Sequence, residues 1–317
     1  MSQPKLLDIG DIAYMLYPSV SLEFLCTLGR LRGRLQYLLG RHDRATVRDN
    51  LQQVFGDQAS PRQIEGMTRR YFEYQQLNRL PIMLAPVLSD ADLAKLVHIE
   101  GIQHLDQALA QGKGVILLGS HVHSVFMFLA VVALRKQGYD IRVAMPTAHD
   151  AWARTRLRTL VDRRTGRKTL RELLGAFYAQ FNIRPILQCF KEGAIVAQTG
   201  DGWHSAAFVE APFLGHAAPF TTGMLRIAQM TGALVVPMFP DGEPPDRVRF
   251  ILEEPISVPS EGHGRQAIEA AVAHYASRLE HYVLRNPPAW QHWEIPNTLE
   301  AMRSLPQRTL NERYQVA

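Results

Sequence analysis

The chain has 317 residues, 46% hydrophobic and 21% charged, with 35 Lys+Arg against 30 Asp+Glu and a formal net charge of +5. These values fit one large globular domain or two small ones, and they exclude a disordered chain, a collagen-like repeat and a multi-span membrane protein. The basic excess is small, so where the charge sits matters more than its sum.

Residues 1–11 carry Lys5, Asp8 and Asp11 and no apolar core of signal-peptide length, so a cleaved export signal is not expected. Ile12 to Leu22 is uncharged but holds only 11 residues, against the roughly 20 needed to cross hydrocarbon. Residues 1–90 read as a helical segment. Gln36 to Phe55 sets Leu and Val at helical spacing among Arg41, Arg44 and Arg48, and Gly56 follows as a stop signal. Ser60-Pro61-Arg62-Gln63 combines a cap, a first-turn proline and a capping-box glutamine, after which Ile64, Met67 and Tyr71 mark one face.

From about residue 97 the pattern alternates. Strands are expected at Val97–Ile99, Gly114–Leu118, Ile141–Met145, Ile183–Leu187, Ala194–Gln198, Phe208–Ala211, Leu234–Phe239 and Val248–Leu252. Helices are expected at Gly101–Ala110, Val125–Lys136, Gly223–Met230 and Gln266–Leu284. Gly114 to Leu134 lacks any charge over 21 residues, yet Gly119, Ser120, His121, His123 and Ser124 at its centre suit a strand–turn–helix better than a span. Continuous apolar strands separated by helices predict an α/β domain, a mixed central sheet flanked by helices and preceded by the N-terminal helical segment. The division is 1–90 helical, 91–300 α/β, and 301–317 tail.

Three places could carry chemistry. Gly119-Ser120-His121-Val122-His123-Ser124 lies where an apolar strand gives way to a helix, the position where α/β sheets hold ligands. A histidine there can act as a general base, or simply hydrogen-bond the turn. Thr199-Gly200-Asp201-Gly202-Trp203-His204 follows another apolar strand, where glycines allow a ligand close to the backbone or build a tight turn. Arg154 to Arg171 holds seven arginines, Arg164 among them, and Lys168 against one acid, Asp162, which suits phosphate groups, an acidic partner or a solvated face. No stacking aromatics interleave these arginines, so nucleic acid is not an expected partner. A metal-dependent hydrolase using His121, His123, Asp201 and His204 is a competing arrangement, because His-x-His on extended chain points both rings one way. Cys26 and Cys189 are too few for a disulfide framework and read as small buried apolar residues. No Gly-x-Ser-x-Gly elbow, Walker loop or dinucleotide fingerprint is present.

The order of these features resembles the lipid A late acyltransferases (lauroyl/myristoyl type) of the lysophospholipid acyltransferase superfamily. The resemblance runs from Ile99-Glu100-Gly101-Ile102-Gln103-His104-Leu105 through Gly112–Leu118 and His121, then Gly138-Tyr139 and Ile141–Pro146. It continues in Glu192–Val196 with Asp201, Pro212-Phe213-Leu214-Gly215, Thr221-Thr222-Gly223 and Asn286-Pro287 to Trp293. It implies that His121 deprotonates a lipid hydroxyl, which attacks an acyl thioester carried by acyl carrier protein or coenzyme A, with no further cofactor. The family's acid, five positions after the histidine, falls here on Phe126, or on Phe128 counting from His123. Asp201 is the first candidate to replace it and Glu210 the second. His123, Ser124, Arg154, Arg164, Gly202 and Glu210 are the expected substrate contacts. The resemblance also implies a peripheral place on the cytoplasmic face of a bacterial inner membrane. A catalytically silent lipid- or partner-binding relative is the remaining alternative.

Overall fold

The computed structural model describes residues 16–17, 19–145, 170–178, 182–202, 207–243, 248–259 and 264–295, with the backbone alone at 79–83, 124–125, 170–171 and 178. Three helices lead: α1 (Leu22–Leu39), α2 (Arg41–Phe55) and α3 (Pro61–Leu84). The helical run expected from Gln36 to Phe55 is broken at Gly40, whose ψ of 70° is not helical. At the start of α3 the Ser60 backbone N–H donates to Gln63 Oε1 at 2.8 Å, half of the expected capping box.

The rest alternates. In chain order come α4 (Asp90–Leu96), β1 (Val97–Glu100), α5 (Ile102–Ala110), β2 (Val115–Gly119), α6 (Ser124–Lys136), β3 (Ile141–Met145), α7 (Leu170–Leu173) and β4 (Phe177–Tyr178). Then follow α8 (Arg184–Lys191), β5 (Ile195–Thr199), β6 (Phe208–Phe213), β7 (His216–Thr221), α9 (Gly223–Thr231), β8 (Leu234–Asp241), β9 (Val248–Leu252) and α10 (Gly264–Arg285). The segment read as a strand at Ile183–Leu187 is instead the start of α8. Pro185 sits in its first turn, and Ile186 and Cys189, three apart, face the core.

Seven strands form one sheet in the order β1-β9-β8-β2-β5-β3-β4, parallel except where β8 meets β9. The fold is therefore α/β with a mostly parallel sheet covered by helices. β2 is buried at every position and β8 likewise, as expected of strands packed on both faces. One core fills each face of the sheet. The first joins Ile116, Leu118 and Val196 to α10, to the β6–β7 hairpin and to α2 and α3. The second joins Val115, Leu117 and Ile195 to α4, α5 and α6. Leu129, Ala130 and Leu134 of α6 are fully buried there, so the long uncharged stretch is strand, turn and core helix. No helix among the described residues is long and apolar enough to cross a membrane. Cys26 and Cys189 are both buried.

Candidate active site

β2 and β5 run in parallel with Val115 beside Ile195 and Gly119 beside Thr199. Two residues further on, the same register brings His121 and Asp201 together at the carboxyl end of the sheet. The ends of the two strands are pinned on one carbonyl: the Gly200 N–H donates to Gly119 O at 2.9 Å and the Tyr275 hydroxyl donates to it at 2.6 Å. A Cβ on Gly200 would stand 2.6 Å from Tyr275 Cζ, so this close approach requires glycine. Burial pushes the Tyr275 phenol well above its usual range, which keeps it a donor.

His121 Nδ1 lies 2.8 Å from Asp201 Oδ1. The His121 backbone N–H reaches both carboxylate oxygens, at 3.0 and 2.9 Å, and Trp290 Nε1 donates to Oδ2 at 3.1 Å. The Asp201 side chain is fully buried, while that of His121 keeps 24% exposure. Burial alone would raise the Asp201 carboxyl. The His121 charge and hydrogen bond, with His292 and the backbone donor, outweigh it and hold the group at about 2. Asp201 is thus an ionised acceptor holding one nitrogen of an imidazole whose Nε2 has no hydrogen-bond partner among the described residues.

The third side of the site comes from the chain's end. After α10 the backbone turns through a 3-10 turn (Pro287–Ala289) and a second one (Gln291–Glu294). This strap pairs with the residues after β2. Val122 bridges Trp290, the His123 N–H donates to Ala289 O at 2.9 Å, and the Gln291 N–H donates to His121 O at 3.0 Å. His292 places its ring 4.4 Å from that of His121, and its Nε2 lies 2.9 Å from the Asp201 backbone oxygen. Trp290 and Trp293 are fully buried and meet edge-to-face, against Phe213 and Phe55 respectively. The N-terminal helices hold the strap from outside. Asn50 Nδ2 donates to Trp293 O and Ile295 O, and the Tyr71 hydroxyl donates to Gln291 O.

The other expected site residues fall differently. Gly202 borders the imidazole: a Cβ there would meet His121 Cε1 at 3.8 Å. His123 turns away, in a left-handed conformation with φ 41°. Its ring is buried, with Nε2 3.2 Å from Gly242 O and Nδ1 3.2 Å from Asn78 Oδ1. Burial pushes its pKa down to about 4 despite the Gly242 carbonyl and Asp241. Ser124 opens α6, and its side chain is outside the described atoms. Glu210 is exposed on β6 and makes no hydrogen bond to His121 among the described residues. Arg154, Arg164 and His204 lie outside the described residues. Phe126 is buried against His123 and the second core, as an apolar helix residue.

Of the competing metal arrangement, His204 lies outside the described residues and the His123 ring is held at the Gly242 carbonyl. His292, overlooked in the sequence, completes a different trio: ligand atoms of His121, Asp201 and His292 all lie within 4.8 Å of one another. The Asp201 oxygens, however, already accept N–H donors from His121 and Trp290. Those contacts hold the carboxylate against the His121 segment and the Trp290 indole.

Residues 9–294 match the family described as bacterial lipid A biosynthesis acyltransferase. The chain is 24% identical over 227 residues to the lipid A biosynthesis lauroyltransferase of Escherichia coli (strain K12), covering 69% of this chain and 67% of that protein. With a family match across most of its length, the chain belongs to the bacterial lipid A biosynthesis acyltransferases.

Proposed function

We propose that this acyltransferase moves a fatty acyl chain from a thioester of acyl carrier protein or coenzyme A to a hydroxyl of a glycolipid or related lipid, with His121 as general base. His121 Nε2 takes the hydroxyl proton as the oxygen attacks the thioester carbonyl. The C–O bond forms, the C–S bond breaks, and the imidazolium returns its proton to the departing thiolate. Asp201 holds Nδ1–H and favours the imidazolium, the part a carboxylate plays in a serine triad. The observation that carries this reading is the 2.8 Å contact between the buried, ionised Asp201 and the partly exposed His121 ring. General-base action of this kind is worth about 10²- to 10⁴-fold in rate.

A peripheral membrane contact belongs to the same proposal. Phe24, Leu31, Leu35, Leu38 and Leu39 of α1 are exposed, and the first four recur at spacings of seven, four and three, on one helical face. Arg34 of the same helix keeps 60% of its side chain exposed while paired with Glu73. An exposed apolar stripe on one helical face suits the interface of a bilayer. A lipid-facing site on the cytoplasmic leaflet is the setting this reading requires.

The test is release of thiol from acyl carrier protein and coenzyme A thioesters over a panel of lipid hydroxyl acceptors. Acceptor-dependent release that disappears in His121→Ala is the expected result. Release that survives in His121→Ala removes the histidine from the chemistry.

A further inference from the structure

We infer that Trp290 and His292 are positioning residues, a clamp from the chain's C-terminal strap that fixes the Asp201–His121 pair. This rests on the general-base reading above, but its geometry stands by itself. A carboxylate delivered from a loop after β5 has no helix behind it to set its orientation. Trp290 Nε1 donates to Oδ2 at 3.1 Å, so Oδ1 is the oxygen presented to Nδ1 at 2.8 Å. His292 acts one bond further back. Its Nε2 stands 2.9 Å from the Asp201 carbonyl oxygen, and a proton on that nitrogen fixes the backbone that carries the carboxylate. The ring itself lies against the His121 ring, 4.4 Å between centroids at 42°, and limits its rotation.

Three features show that the clamp is rigid. Trp290 is fully buried and His292 is 5% exposed. Trp290 stands edge-on to Phe213, His292 and Trp293. The strap's backbone is tied to the His121 segment by the Gln291 N–H and the His123 N–H. The strap therefore touches both partners of the pair at once, through the Asp201 carboxylate, the Asp201 carbonyl and the His121 backbone. A displacement of about 1 Å at such a group costs roughly 10²-fold in rate.

Substitution can separate the two contacts of His292. His292→Gln keeps an N–H donor for the Asp201 carbonyl and loses the ring, while His292→Phe keeps a ring and loses the donor. Trp290→Phe keeps bulk and loses the N–H. The direct readout is the downfield proton resonance of His121 Nδ1–H in the full-length protein, assigned by its loss in His121→Ala. Melting temperatures identify any variant that fails to fold. We expect the resonance to move or broaden in Trp290→Phe and in His292→Phe, and less in His292→Gln. Acceptor-dependent kcat should fall about 10²-fold in the first two with KM within threefold. An unmoved resonance in both folded variants, Trp290→Phe and His292→Phe, overturns the clamp. A resonance that moves as described, in a protein that transfers no acyl group from any thioester, keeps the clamp and overturns the general-base reading.

Discussion

Acidification should weaken the fold through His123 before it reaches Asp201. The His123 ring is 1% exposed, enclosed by Tyr74 and Asn78 of α3, Phe126 of α6, Gly242 after β8 and Asn286 before the strap. The charged groups of that neighbourhood are Asp241, paired with Arg249 and Arg285, and Glu243, paired with Arg70. Burial holds the folded ring at about 4, against 6.5 in the unfolded chain. The folded pKa is depressed, so between those values the unfolded chain binds the proton more tightly. His123 thus contributes stability in full above pH 6.5, and it is lost as pH falls toward 4. At about 1.4 kcal/mol per pH unit, the loss across that window is about 3 kcal/mol. The assay is urea unfolding at half-unit pH steps from 7.5 to about 4, for the wild type and His123→Gln, which cannot titrate. Both curves carry every other group, so their difference isolates His123, and the gap between them should close by about 3 kcal/mol from pH 7 to pH 4. Parallel curves would refute a neutral, buried imidazole at this position.

Asp201 gives a second, lower window. Its stabilising charge is present above pH 3.8 and is lost as pH falls through about 2, so Asp201→Asn should flatten the acid limb of the unfolding curve there. The same variant should fold yet lose about 10³- to 10⁴-fold in kcat, measured by thiol release, because the amide favours the wrong tautomer of His121. Phe126→Glu places a carboxylate in the second core without a partner, and its unfolding free energy, from urea titration, should drop by several kcal/mol with no gain in turnover. Gly200→Ala should lower stability by about 1–3 kcal/mol as its methyl displaces Tyr275, read as a shift in melting temperature. Leu31→Glu with Leu35→Glu should abolish co-sedimentation with anionic vesicles and leave the far-UV spectrum unchanged; undiminished sedimentation would remove α1 as the contact.

The sequence displayed the sheet because its strands are buried on both faces and so read as unbroken apolar runs, as at Val115–Leu118 and Leu234–Val236. It displayed His121 and Asp201 because glycine-rich polar turns interrupt those runs. It could not show that β2 and β5 are neighbours, since strand order is set by packing. Once they are neighbours, the equal offset of 80 residues in Gly119–Thr199 and His121–Asp201 brings the pair together. Ile183–Leu187 misled because a short apolar run reads equally as strand or helix; the proline in its first turn was the available signal. The left-handed backbone at His123 was invisible, and with it the fact that adjacent histidines diverge. His292 was missed because its partners, His121 and Asp201, lie 171 and 91 positions earlier in the chain. A polar residue between two tryptophans, after two prolines, was the hint.

The strap has a consequence for biosynthesis. Trp290 and His292 follow all nine described strands in the chain, so during synthesis Asp201 emerges before the indole that fixes its carboxylate. A premature stop just before Trp290 would remove two fully buried tryptophans from the first core as well as the indole donor to Asp201, so it should cost stability and the site together.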